Sequence, residues 1–207
     1  AAQFHAVEIN YTFYRMPTAK TTGAWLAQAP PGFKYVLKAP RRITHEKRLK
    51  DCKDSVDFFC ESARVLGDHL GPLLFQLPPT FKLDLARLEA FLAELPAGFQ
   101  SAFEFRHDSW LVDDVFLLLE KHGQALCIAD FGDHTTPFQA TARHGYFRLR
   151  DEGYVEADLV QWVDQIGRRT DRWDDVYVFF KHEEEGKGAL FAKQFCELLD
   201  RAGLTRV

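Results

Sequence analysis

The chain has 207 residues, of which 46% are hydrophobic, 27% charged and 14% aromatic, and its formal net charge is −4. This composition is typical of a folded globular protein, and it excludes a disordered chain or one that binds nucleic acid through its overall charge. A local basic cleft is still compatible with it. No run of residues is apolar enough to span a bilayer and no signal peptide is visible, so we expect a cytoplasmic protein. The four cysteines form no CxxC pair, which favours free thiols in a reducing compartment.

Short segments rich in β-branched and aromatic residues are predicted to be strands. In chain order they are residues 6–10, 33–39, 72–77, 102–106, 125–130, 145–150 and 176–181. Between them, apolar residues recur at helical spacing in the segments 85–95, 112–123, 157–166 and 189–203. Gly123 and Gly203 are suited to end two of these helices. Strands that alternate with helices predict a parallel sheet wrapped by helices.

The number of units indicates a particular parallel fold. Seven strand–helix units are one fewer than a closed TIM (β/α)8 barrel contains. A doubly wound sheet is the alternative, but no glycine-rich phosphate-binding turn follows the first strand. No long linker or low-complexity tract divides the chain. We therefore predict an α/β fold of the TIM (β/α)8 type that lacks its first strand–helix unit, with residues 1–207 forming one domain.

Several stretches of the sequence closely resemble the YecE-like family, also known as domain of unknown function 72. They are VEINYTFYRMP (7–17), GFKYVLKAPRRITHEKRLKD (32–51), GPLLFQLPPTF (71–81), FEFRHDSW (103–110) and VYVFFKHEEEGKGALFA (176–192). Family members resemble TIM barrels and normally begin with a Gly-containing strand, roughly GTSGW, which this sequence lacks. The resemblance implies the barrel fold and a site at the barrel mouth, but no particular reaction.

Every predicted strand ends in at least one polar or charged residue, and in a TIM barrel these ends meet at the face that carries the active site. The candidates for substrate binding are Glu8, Asn10, Tyr14, Lys38, Gln76, Arg106, Trp110, Arg148, Arg150 and Lys181. Basic residues outnumber acids at these strand ends, and arginine suits phosphate or carboxylate, so we expect an anionic ligand. Glu104, Asp130 and His107 are the candidates for acid–base catalysis.

Structural interpretations of the same residues stay open. Glu8, Glu104, Arg106 and Arg148 could instead form an internal salt-bridge layer that fixes the strand register. The basic segment APRRITHEKRLKD (39–51) could be a solvated loop and helix start. Among the aromatic residues at the mouth, Tyr14 and Trp110 are the best candidates to stack on a base or sugar ring and Phe131 is a further one, whereas Phe13 is expected to be structural.

Three functional hypotheses follow. The first, which we prefer, is an enzyme of hydrolase or of isomerase or lyase type that acts on a phosphate- or carboxylate-bearing small molecule through Glu104 or Asp130. The second is a metal-dependent phosphodiesterase or nuclease like the endonuclease IV-type barrels, with Glu104, His107, Asp130 and His182 around a divalent metal. The third is a non-catalytic module that binds a nucleotide or nucleic acid. No cofactor is firmly implied, a divalent metal is an option, and neither a membrane nor a particular protein partner is indicated.

Overall fold

The computed structural model describes residues 3–131, 134–151, 153–181 and 186–204. The strands are β1 Ala6–Ile9, β2 Lys34–Lys38, β3 Leu70–Gln76, β4 Ser101–Glu104, β5 Ala125–Phe131, β6 His134–Thr135, β7 His144–Leu149 and β8 Asp175–Phe180. Seven of them form a parallel sheet in the order β1–β2–β3–β4–β5–β7–β8, and the short β6 pairs antiparallel with β5. All seven predicted strands are present, with ends that differ from the prediction by at most two residues.

The parallel sheet curves into a nearly closed barrel. Its path begins at β1 and ends at β8, and these two strands lie beside each other. Along the path, each strand pairs in parallel with the next, so that Gln76 on β3 lies opposite Glu104 on β4. The prediction of a TIM-type barrel with seven parallel strands in place of eight is confirmed. The carboxyl ends of all seven strands therefore meet at one mouth.

Helices connect the strands on the outside of the barrel. They are α1 Tyr11–Tyr14, α2 Ala19–Leu26, α3 Lys53–Arg64, α4 Leu85–Glu94, α5 Asp113–Lys121, α6 Glu156–Gly167 and α7 Lys187–Arg201. Local chemistry sets their ends: Asp84 Oδ1 accepts a hydrogen bond of 3.1 Å from the N–H of Arg87 at the start of α4, and Gly123, with φ +63°, follows the end of α5. None of the helices in the described part of the chain has the length and apolar character that a membrane span requires.

Apolar side chains fill both sides of the barrel wall. The larger cores lie between the sheet and the helices, where Phe75 and Phe103 of adjacent strands stack at 5.2 Å. A smaller cluster fills the inside of the barrel and includes Val36, Leu74, Ala102, Cys127, Tyr146 and Tyr177. Because side chains alternate between the two faces of a strand, the residue two positions after each member of this cluster also points inward, one layer closer to the mouth.

The segment after β2 has unusual backbone geometry. It begins with a π-helical turn, Arg42–Glu46, in which Ile43 is fully buried. Arg48, Leu49 and Asp51 follow with φ of +48°, +65° and +48°, in the left-handed region that residues other than glycine rarely adopt. Such conformations persist only where the surroundings hold them, and both they and π-helical turns are frequent near functional sites. Ile43 and Leu49 anchor the segment in the core, whereas Arg41, Arg42 and Arg48 are exposed.

Candidate functional site

A layer of polar side chains closes the inside of the barrel below the mouth. Each member follows an inward-facing apolar residue by two positions, and the members are Glu8 on β1, Lys38 on β2, Gln76 on β3, Glu104 on β4 and Arg148 on β7. The side chains of Glu8 and Arg148 are only 2% and 1% exposed. Charges buried to this extent are costly unless each one has a partner. The pairing within the layer therefore decides what it can do.

Arg148 connects three strands through its guanidinium group. Its Nη2 donates to Glu8 Oε1 at 2.9 Å, and its Nη1 donates to Glu104 Oε2. Glu8 also accepts a hydrogen bond of 2.7 Å from the Tyr146 hydroxyl, and Glu104 accepts one of 2.8 Å from Gln76 Nε2. The internal salt-bridge layer that the sequence left open is thus present for Glu8, Glu104 and Arg148, and it ties β1 and β4 to β7.

Further cations surround this layer toward the solvent. Arg106 Nε lies 3.2 Å from Glu104 Oε1, and Arg150 Nη2 lies 3.6 Å from the same oxygen. Lys181 Nζ lies 3.4 Å from Glu8 Oε1. Two carboxylates are therefore shared among Arg106, Arg148, Arg150 and Lys181, and Lys38 and Arg41 are further cations of the mouth. Among the described residues, positive charge therefore exceeds negative charge at the mouth.

The pKa of Glu104 reflects two opposing effects. Burial raises it, but the charges of Arg148, Arg150 and Arg106 lower it more strongly, and the resulting pKa is about 2. Burial also raises the pKa of Glu8, but the charges of Arg148 and Lys181 lower it more strongly, so that it lies below the ordinary value. Both carboxylates are ionised at neutral pH. A carboxylate with a pKa of about 2 is a poor proton acceptor there.

Lys38, unlike the two glutamates, has a pKa close to neutral pH. Its Nζ donates to Gln76 Oε1 at 2.9 Å and lies 4.1 Å from the centre of the Phe13 ring. The Thr12 hydroxyl donates to the Lys38 carbonyl oxygen at 2.6 Å, which fixes α1 against the end of β2. Burial, helped by the charge of Arg148, lowers the pKa of Lys38 to about 8 although the glutamates oppose this. An amine with that pKa can both hold and release a proton near neutral pH.

A cavity of about 780 Å³ opens above the polar layer. Most of the residues predicted to bind substrate line it, namely Asn10, Tyr14, Lys38, Gln76, Arg106, Arg148, Arg150 and Lys181. Glu8 lies beneath it and contacts two of the lining residues, Arg148 and Lys181. No carboxylate is among the described residues that line this cavity. Its volume is in the range of small-molecule sites in proteins.

Trp110 does not reach the cavity. It is completely buried, and its Nε1 donates to the carbonyl oxygen of Phe81 at 2.6 Å. Its ring stacks on Phe105 at 4.9 Å. Trp110, predicted to bind substrate, is thus not among the residues that line the cavity and instead anchors the 3-10 turn Asp108–Trp110 in the outer core.

Asp130 lies on the outer side of the barrel wall. It follows Ile128 of the outer core by two positions, and its Oδ1 accepts a hydrogen bond of 2.7 Å from the backbone N–H of Arg150. Its Oδ2 accepts one from the Tyr154 hydroxyl. These contacts hold the loop after β7, and Asp130, predicted to be an acid–base catalyst, is not among the residues that line the cavity.

Glu104, His107 and Asp130, the described members of the proposed metal site, do not converge. His107 Nδ1 accepts a hydrogen bond of 3.1 Å from the N–H of Ser109, so His107 caps the turn that Trp110 ends. His182 lies outside the described residues, as does the side chain of Phe131. Glu104 and Asp130 lie on opposite sides of the barrel wall. Within the described part of the chain, no group of three histidine, cysteine or acidic side chains is placed to hold a metal ion.

His45 was not among the predicted site residues, and Phe13 was expected to be structural. Both line the cavity, and their rings meet edge-on at 4.8 Å. Burial lowers the pKa of His45 to about 4, and the charges of Lys38, Arg106 and Arg41 contribute, so the imidazole is neutral at pH 7. His45 belongs to the π-helical turn, and its place within a basic segment after a strand was the available signal. The geometry of that turn has no recognised sequence pattern.

Fold and site together define a TIM-type barrel protein with a cationic cavity at the carboxyl ends of its strands. The chain belongs to the family described as Protein of unknown function DUF72, whose model matches residues 1–206. The resemblance to the YecE-like family is thereby confirmed.

Two curated relatives are similar in sequence. The UPF0759 protein YecE of Escherichia coli (strain K12) is 34% identical over 108 residues, which cover 52% of this chain and 40% of that protein. The UPF0759 protein YunF of Bacillus subtilis (strain 168) is 23% identical over 243 aligned positions, which cover 97% of this chain and 85% of that protein. The alignment with YecE thus spans less than half the length of that protein.

Solved structures of the family have the same fold. A DUF72 family protein from Thermotoga maritima MSB8 matches with a TM-score of 0.81 at 28% identity, covering 95% of this chain and 85% of that one. A DUF72 family protein from Enterococcus faecalis V583 matches with a TM-score of 0.82 at 20% identity, covering 96% of this chain and 91% of that one. The second likeness concerns the fold alone.

Proposed function

We propose that the protein is an enzyme that acts on a small anionic substrate, one that bears a phosphate or carboxylate group, and that Lys38 transfers a proton in the reaction. The charge imbalance of the cavity carries this proposal. Its described lining includes the cations Lys38, Arg41, Arg106, Arg148, Arg150 and Lys181 and no carboxylate. The carboxylates beneath it already accept hydrogen bonds from Arg148. The positive charge of this described lining is suited to a bound anion.

Arg106 and Lys181 are suited to donate hydrogen bonds to such an anion. Arg106 contacts Glu104 through its Nε. A guanidinium group has five N–H donors in a planar fork, so the outer nitrogen atoms of Arg106 are suited to a bidentate contact with phosphate or carboxylate. The Lys181 ammonium group also contacts a carboxylate and lines the cavity. The predicted anionic ligand therefore has both charge and geometry in its favour.

The choice of Lys38 as the proton-transfer group departs from the sequence-based preference for Glu104. Glu104 has a pKa of about 2 and is surrounded by cations, whereas Lys38 has a pKa of about 8 and lines the cavity. An enzyme that works near neutral pH needs a group whose pKa is near that pH. A bound anion would raise the pKa of Lys38 and favour its ammonium form as a general acid.

Binding is tested first, with a panel of phosphate- and carboxylate-bearing metabolites followed by titration calorimetry on the hits. Arg106→Gln should weaken binding of such a ligand about 10- to 100-fold, since it removes a charged hydrogen-bond donor. The matched control is Arg172→Gln, because Arg172 also pairs with a glutamate, Glu120, but is 57% exposed and absent from the cavity lining. Equal affinity in both variants would contradict an anion site in this cavity.

Catalysis is then separated from binding with Lys38→Arg. Arginine keeps the positive charge but does not release a proton near neutral pH. We expect ligand affinity to change a few-fold and turnover to fall about 10²- to 10⁴-fold. Lys20→Arg, at an exposed residue on α2 that does not line the cavity, is the control and should retain turnover. A ligand that binds but is never converted by the unsubstituted protein would favour the non-catalytic binding module instead.

A further inference from the structure

A second cavity of about 620 Å³ adjoins the cationic one. The two share Phe13, Tyr14 and Arg41 in their linings, so they are neighbouring compartments of a single cleft. The second compartment extends from these residues to Asp54 and Phe58 on α3. A ligand bound to the cations could therefore extend past Tyr14 toward α3.

Exposed aromatic rings mark this second compartment. Tyr14 is 80% exposed and Phe58 is 51% exposed, although both are large side chains with substantial apolar surface. Phe13, which separates the compartments, packs edge-on against Tyr14 at 5.1 Å. Exposed rings in a concave site are suited to stack on a planar ring of a ligand.

The same compartment also contains hydrogen-bonding groups. Glu46 of the π-helical turn and Asp54 and Ser55 of α3 line it together with the aromatic rings. A purely apolar ligand would remove water from these groups without replacing their hydrogen bonds, which is unfavourable. A nucleobase or ribose offers N–H and O–H donors to carboxylate and hydroxyl oxygens, and the base also offers a planar face. The lining also includes Arg41 and Arg42, and Arg41 Nε lies 3.5 Å from Glu46 Oε1. This mixture of rings, acceptors and donors favours a nucleoside over a plain aromatic ring.

The backbone around the cleft agrees with a binding role for both compartments. The π-helical turn contributes His45 to the cationic compartment and Glu46 to the second one. It leads directly into Arg48 and Leu49, whose φ values are positive. Side chains that line two adjoining compartments are thus presented by one ordered and conformationally unusual segment.

We propose that the two compartments form a single bipartite site for a nucleoside phosphate. The phosphate group lies against Lys38, Arg106, Arg150 and Lys181, and the base stacks between Tyr14 and Phe58. This assignment rests on the proposed function, because it uses the cationic cavity as the phosphate subsite. It adds the chemical class of the substrate: a phosphate ester that carries a nucleoside.

The test is titration calorimetry with inorganic phosphate, ribose 5-phosphate and the four common nucleoside monophosphates. At least one nucleoside monophosphate should bind about 10- to 100-fold more tightly than ribose 5-phosphate, which corresponds to the usual contribution of base–aromatic stacking. Phe58→Ala should reduce its affinity to nearly that of ribose 5-phosphate and leave ribose 5-phosphate binding unchanged. Leu117→Ala, at a 62% exposed apolar residue on α5, is the control and should have no effect.

The outcomes separate this inference from the proposed function. If ribose 5-phosphate and all four nucleoside monophosphates bind equally, and Arg106→Gln weakens all of them, the base subsite is wrong and the anion site stands. If a nucleoside monophosphate binds more tightly but Phe58→Ala and Tyr14→Ala both leave that advantage intact, the base does not lie in the second compartment. If none of the phosphates binds, both this inference and its phosphate subsite are overturned.

Discussion

Carboxylates on the two sides of the barrel wall have different contacts near the same mouth. Glu104 at the end of β4 faces inward, where Arg148, Arg106 and Arg150 surround it and hold its pKa at about 2. Asp130 near the end of the neighbouring strand β5 faces outward, where it accepts hydrogen bonds from the Tyr154 hydroxyl and a backbone N–H. The inner carboxylate pairs with cations that line the cavity, and the outer one holds a loop. Orientation within the strand, and not residue type, decides between these roles.

The largest expected effect tests the inner side. Glu104→Gln removes the buried charge that Arg148, Arg106 and Arg150 share, and we expect the free energy of unfolding at pH 7 to fall by about 3–5 kcal/mol, the usual cost of breaking a buried ion pair. The measurement is urea denaturation. The control is Glu89→Gln, which removes an exposed pair with Lys121 and should cost less than about 1 kcal/mol. A loss as small as that of the control would mean that the layer does not hold the barrel together.

A smaller effect is expected on the outer side. Tyr154→Phe deletes the hydroxyl that donates to Asp130, and we expect it to lower the free energy of unfolding by about 1–3 kcal/mol, as is usual for a hydrogen bond to a charged group. Because Asp130 lies outside the cavity, the affinity for phosphate-bearing ligands should change less than twofold. Titration calorimetry measures the affinity of Tyr154→Phe and of Arg106→Gln for the same phosphate-bearing ligand. A comparable loss of affinity in both variants would show that the two sides of the wall are energetically coupled.

Strand alternation explains how much of the site could be predicted. Once the strands are located, the inward-facing positions follow from counting in twos, which groups Glu8, Lys38, Gln76, Glu104 and Arg148 in one layer after Ala6, Val36, Leu74, Ala102 and Tyr146. The same counting places Asp130 on the face of Ile128, so its outward orientation was also available from the sequence.

Other features of the site were beyond such reasoning. Trp110 and His45 follow the ends of their strands, where the chain enters a 3-10 turn and a π-helical turn and alternation no longer applies. The proton affinities of Lys38 and Glu104 depend on which charges meet across the barrel. Arg148 contacts residues 140 and 44 positions away in the chain, and no local pattern encodes such pairings.

The last prediction concerns the one inner group that we expect to titrate near neutral pH. The pKa of Lys38 is about 8 in the folded protein, below its ordinary value of 10.5. Between those pH values the unfolded chain binds more protons at Lys38 than the folded protein does. The free energy of unfolding of the unsubstituted protein should therefore rise relative to that of Lys38→Met as the pH increases from 8 to 10.5, and the difference should be constant below that window.

Urea denaturation of both proteins at several pH values between 7 and 10.5 measures this difference, and Lys20→Met, at an exposed residue on α2, corrects for general effects of alkaline pH. This experiment also tests the electrostatic environment of the inner side, since burial and the charge of Arg148 in the inner layer lower the pKa of Lys38. A difference that does not vary with pH would mean that Lys38 titrates alike in the folded and unfolded states. That result would contradict the proposal that Lys38 transfers a proton, and it would leave the proposal of an anion site unaffected.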